Sequence, residues 1–131
     1  MTWPSRHVSI PIRRSPEAVV AVAGDPAALP SWAAGLAGGI RRHGDRWIAD
    51  APFGTVEVSF IGPVQAGVLD HDVTMPDGAV VHNPLRVLRN DDGSEVVFTV
   101  YQRPGMTDEQ FEQDAAAVAA DLERLRALLE R

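Results

Sequence analysis

Cysteine is absent from the 131 residues. That excludes disulfides, thiolate metal sites and cysteine nucleophiles together, and it suits a reducing cytosol. No apolar run approaches the length of a membrane span, and Met1 to His7 lacks the apolar stretch of a secretory signal. A cytoplasmic protein without membrane contact is therefore expected. A basic face is missing too: 12 arginines and lysines stand against 18 aspartates and glutamates, a net charge of −6. This balance argues against a nucleic-acid partner and weakly favours a neutral or cationic one. The chain also lacks a Ser-His-Asp order, a phosphate loop and a dinucleotide fingerprint, and Gly35, Gly38 and Gly39 read as turn glycines. With no repeat, linker or charge block to divide it, residues 1–131 read as one domain.

What is present has a clear order. His7 to Ile12 reads as a strand with Val8, Ile10 and Ile12 on one face. Ser15-Pro16-Glu17 then starts a short helix ended by Gly24, and Asp25-Pro26 starts a second short helical piece carrying Leu29, Trp32 and Leu36. From Gly38 the pattern changes to period two. Strands are expected at 40–42, 46–50, 55–61, 68–75, 79–89 and 95–102, joined by short antiparallel turns. Thr107 and Gln110 have capping-box spacing. Behind them Phe111, Ala115, Val118, Leu122, Leu125 and Leu129 form one apolar stripe on a helix of about 36 Å. The expected class is α+β: a curved seven-stranded antiparallel sheet gripping one long C-terminal helix, with two short helices after the first strand. One helix cannot fill such a concavity, so a pocket beside it is expected.

A three-residue turn at 76–78, with Gly78 left-handed, pairs Val73 with Val81, His71 with Asn83 and Leu69 with Leu85 on an apolar face. It sends Asp70, Asp72 and His82 to the other face. A four-residue loop at 90–93 aligns Leu85 with Phe98 and Val87 with Val96. His71 and Asn83 are then the polar neighbours in an apolar lining. An imidazole oriented by an amide could serve as general acid or base, and equally could be a core histidine satisfied by Asn83. Asp70-His71-Asp72 with His82 invites a metal reading, but alternation separates His71 from the others, so no metal is expected. Asp72 and His82 could form an outer surface pair. Trp32 and Trp47 could be aromatic walls or ordinary core. Arg13-Arg14 and Arg41-Arg42 read as solvated, and Tyr101 lies on the outward parity with no catalytic role.

The chain resembles the START-like superfamily, also called SRPBCC, over essentially its whole length. The resemblance rests on Ser15-Pro16-Glu17-Ala18-Val19, on Asp25-Pro26-Ala27-Ala28-Leu29-Pro30-Ser31-Trp32, and on the Asp114 to Glu130 helix. It implies a helix-grip fold with a hydrophobic pocket, in a family of polyketide cyclases, aromatases, carriers and co-chaperone-like modules. The expected function is binding of a small hydrophobic or aromatic ligand. The contacts are expected from Trp32, Trp47, Phe60, Leu69, His71, Val73, Asn83, Leu85 and Phe98, and no cofactor is expected. Two alternatives stand beside it: a cyclase or dehydratase using His71 and Asn83, and a protein-interaction module. An exposed sheet edge makes a second copy of the chain a candidate partner.

Overall fold

The computed structural model describes all residues, Met1–Arg131. Strands β1 (Ser5–Ile12), β2 (Ile40–His43), β3 (Arg46–Ala51), β4 (Gly54–Phe60), β5 (His71–Thr74), β6 (Val80–Asn83), β7 (Leu85–Asn90) and β8 (Gly93–Tyr101) accompany helices α1 (Pro16–Ala23) and α2 (Asp108–Leu129). The architecture is α+β, consistent with a helix grip. The sheet differs from expectation: it is five strands, β2-β3-β4-β5-β6, and three, β1-β8-β7, all pairs antiparallel.

The extra strand comes from a break at Pro84. Residues 79–89 were expected to be one strand, and against β5 they still behave as one. Val73 faces Val81 and His71 faces Asn83, while Leu69 N–H donates to Leu85 O at 2.8 Å and Val87 N–H to Gly67 O at 2.9 Å. The register is the expected one, and Gly78 is left-handed at φ 89°. Against β8 the run pairs only from Leu85 onward. Thr99 N–H donates to Pro84 O at 3.0 Å, but proline has no N–H to return, so the ladder stops there. Asn90 and Gly93 join the β7–β8 ladder, leaving a turn two residues shorter than expected with the register unchanged. His43 and Arg46 pair in the same way around Gly44-Asp45.

Asp70 is the second departure. Its parity is outward, yet only 8 % of it is exposed. Arg86 closes over it with two charge-assisted bonds, Nε–Oδ1 at 2.9 Å and Nη2–Oδ2 at 2.8 Å, and Leu85 N–H donates to Oδ1 at 3.0 Å. The guanidinium, the backbone N–H and the ion-pair field hold this carboxyl below the usual range, outweighing its burial.

The helices form as the local chemistry directs. Ser15 Oγ accepts from Ala18 N–H, Pro16 takes the first position, and Val19 and Ala23 face inward. The second short piece, Pro26–Ser31, is a 3₁₀ turn instead of an α-helix, because Pro30 has no N–H for the Pro26 carbonyl. In α2 the capping box is made in both directions, Gln110 N–H to Thr107 Oγ1 at 3.1 Å and Thr107 N–H to Gln110 Oε1 at 2.9 Å. The expected stripe is buried except at Val118, and the helix lies across β1 and β8. Arg14, expected to be solvated, donates to the Leu129 carbonyl at 2.7 Å and so serves an orphan acceptor at the end of α2.

Replacing Asp70 by Ala strands the Leu85 N–H and releases Arg86, and we expect a loss of about 2–3 kcal/mol in urea unfolding. The sign with pH follows from the lowered carboxyl. Its contribution is complete above the unfolded value of about 3.9 and is lost as pH falls through the lower native value. Asp70→Asn should therefore be less stable at neutral pH and show a shallower loss below about pH 4; an unchanged acid limb would contradict this assignment.

Candidate ligand cleft

Because β8 runs on past the end of β7, its last residues have β1 on one side and no strand on the other. Residues 80–83 turn away with β5. The slot between them opens into a cavity of about 500 Å³. Val80, His82, Thr99 and Tyr101 form its rim, Asn83, Phe98 and Val100 its inner wall, and α2 closes the back with Asp114, Ala117, Val118 and Asp121. Trp3 stands at the mouth, its ring 6.2 Å from that of Tyr101 in an edge-on arrangement. The cavity lies where α2 is thinnest: residues 114–120 read Asp-Ala-Ala-Ala-Val-Ala-Ala. Leu122, Leu125 and Leu129 fill the other half of the grip.

Three of the polar groups here differ in their engagement. Asp121 accepts from Ala34 N–H at 3.2 Å and pairs with Arg124. The side chains of Asp114 and Arg103, of opposite charge at one end of the slot, take part in no hydrogen bond or ion pair.

The residues expected to form one site are spread over three places. Asn83 and Phe98 line the cleft. Trp47 and Phe60 line a separate open cavity of about 430 Å³ beside Gly24 and Pro26. Trp32, Leu69 and Leu85 are core, and Trp32 keeps its indole N–H buried without an acceptor. Val73 is partly buried and packs against that core.

His71 sits just behind the cleft wall, its ring 5.9 Å from Phe98 and 5.6 Å from Phe60. Register places it opposite Asn83, but the two side chains do not bond each other. His71 Nδ1 lies 2.9 Å from the Leu69 carbonyl. Asn83 Nδ2 donates instead to Val81 O at 3.1 Å and His71 O at 3.5 Å. A carbonyl only accepts, so the proton is on Nδ1 and the Nε2 lone pair is free. Burial between two aromatic rings pushes this imidazole below its ordinary value. On the other face Asp72 and His82 make the expected pair at 2.8 Å, and no three ligand-type side chains gather anywhere.

Trp3, Val80, His82, Thr99, Tyr101 and the α2 residues were missed as cleft residues. Two signals pointed to them: Pro84 inside a strand pattern, and the alanine run in α2.

No known family pattern and no curated protein matches the chain. Solved structures do. An uncharacterized protein from Bacillus thuringiensis superposes with TM-score 0.78 at 15 % identity, covering 98 % of this chain and 100 % of its own. The Aha1 dimer from Colwellia psychrerythraea gives 0.74 at 17 %, covering 97 % and 96 %. DynU16, a protein of the dynemicin biosynthetic locus, gives 0.70 at 17 %, covering 96 % of this chain and 47 % of its own. These likenesses establish the fold. No helix is long and apolar enough to cross a membrane.

His71 should stay neutral at physiological pH. Below about 6.5 the unfolded chain takes up a proton that the native state resists, so stability falls with acidification toward the lower native value. We expect His71→Gln to flatten the loss of stability below about pH 6.5, read by urea unfolding, and NMR to show the native ring as the Nδ1–H tautomer. A ring titrating above 6.5 would contradict its burial.

Proposed function

We propose that the chain is a START-like (SRPBCC) ligand-binding domain, taking a small, largely apolar molecule in the cleft between β6, β8 and α2. The observation that carries this reading is the cleft itself. It is about 500 Å³, within the range of small-molecule sites, mainly apolar inside, with a few polar groups spread around it. Asn83 and Phe98 are the expected contacts that touch the ligand. Val100 and Val118 join them, and Trp3 and Tyr101 cover the mouth. The neighbour from the dynemicin locus supports a ligand from secondary metabolism, by analogy of fold alone.

An active cyclase or dehydratase is the second reading, and one observation favours it. The Leu69 carbonyl fixes the His71 proton on Nδ1, so Nε2 is an unprotonated base at neutral pH. His71 would serve as that base through a ligand reaching past Phe98, with Asn83 orienting the substrate. In that case His71→Ala keeps binding and abolishes turnover of the bound compound.

Binding is tested with a neutral apolar dye, N-phenyl-1-naphthylamine. We expect saturable dye fluorescence with quenching of Trp3, resolved in Trp→Phe variants. Val118→Trp should fill the cleft and abolish the signal in a folded protein, while Trp47→Phe, in the separate cavity, leaves it intact. Absence of saturable binding, or binding unaffected by Val118→Trp, would remove the cleft from consideration.

A further inference from the structure

Both walls of the slot are strand edges without a neighbour. β6 is the last strand of its sheet. Met75 N–H donates to Ala79 O at 2.8 Å. In an antiparallel ladder the bonded pairs alternate, so residues 79, 81 and 83 turn their main-chain groups toward β5, and Val80 and His82 turn theirs into the slot. On β8, Gln102 N–H donates to Pro4 O and Thr99 N–H to Pro84 O. Even-numbered residues there face β1, and Thr99 and Tyr101 face the other way. Pro84 cannot return a bond to the Thr99 carbonyl, and beyond it no strand meets Tyr101. The slot thus presents the N–H and C=O of Val80, His82 and Tyr101, and the C=O of Thr99. All four residues line the cavity. A hydrocarbon ligand filling this space would strip water from these groups and give nothing back.

We propose that the cleft takes an extended amide-bearing ligand, a short peptide or peptide-like molecule, added as a strand between β6 and β8. Its main chain bonds Val80, His82 and Tyr101, and its inward side chains rest on Phe98, Val100 and Val118. Strand addition draws affinity from main-chain bonds and selectivity from alternate side-chain pockets. An inserted strand would also bridge the free edges of β6 and β8 and so join the two sheets into one. The proposal rests on the cleft being the ligand site, and it names the class of ligand.

The test uses the full chain with a panel of neutral capped tetrapeptides alternating Val, Leu or Phe with Thr, each paired with an analogue N-methylated at its amides. N-phenyl-1-naphthylamine serves as an independent reporter of the cleft. We expect peptides to displace the dye and to shift the amide resonances of Val80, His82 and Tyr101, and N-methylation to weaken binding by about tenfold or more. Val80→Pro removes an N–H that faces the slot and takes no part in the β5 ladder. It should lower peptide affinity by about tenfold beyond any change in dye affinity, while leaving the Val81 and Asn83 amide protection unchanged. Dye binding without peptide binding would overturn the inference and leave the cleft reading standing. So would N-methylated peptides that bind as well as their parents. Failure of both dye and peptide would overturn the two together.

Discussion

At the junction of β6 and β7 a proline occupies a position whose main-chain groups face β8, and the rest of the architecture adjusts to the N–H it lacks. Toward β8, Pro84 can accept from Thr99 and can donate nothing. Toward β5, the next pair, Leu69 with Leu85, keeps one main-chain bond and replaces the other with two from side chains. The Leu85 N–H goes to Asp70, and the Leu69 carbonyl receives His71 Nδ1. Arg86 then neutralises Asp70 from outside. The Leu85 N–H, the Leu69 carbonyl and the Asp70 carboxylate are thus all engaged on the β5 side, whereas toward β8 Pro84 has no N–H to give the Thr99 carbonyl.

This gives His71 and Asp70 a structural meaning before any functional one. A buried carboxylate is tolerated because it accepts three hydrogen bonds, two of them from a guanidinium. The imidazole is tolerated because it caps a carbonyl left free by the irregular pair. The same bond that satisfies the Leu69 carbonyl fixes the tautomer and leaves Nε2 unprotonated. A group installed to repair a ladder is thereby left in the chemical state a general base requires, one aromatic ring away from the ligand cleft.

Much of the fold was legible because it follows local rules. The capping box of α2, the apolar stripe behind it, the Gly78 turn and the 71–83 register each follow from a few neighbouring residues, and the structure keeps them. The site was less legible, since it depends on where a regular pattern fails. Alternation assigned Leu69 and Leu85 inward, which is true, but inward here means packed core, and Trp32 is core with them. Pro84 lies inside a strand pattern, and its missing N–H decides which strand ends where. Asp70 has outward parity and is nonetheless buried, because Arg86, sixteen residues later, folds over it; parity describes a side chain's direction and says nothing of what will cover it.

A run of small residues midway along α2 shows why the grip is open beside it. Toward the C-terminus Leu122, Leu125 and Leu129 fill the space between helix and sheet, where α1 and the Trp32 segment also pack. Between the buried Phe111 and Leu122, Ala117 and Val118 do not, and β6 parts from β8 over the same stretch. Two independent reductions in contact, one in side-chain volume and one in strand pairing, thus coincide at the same place. A strain-free core offers no reason for both, since filling either would bury more apolar surface and add stability. Their coincidence is the physical ground for the proposal that the cleft receives a ligand.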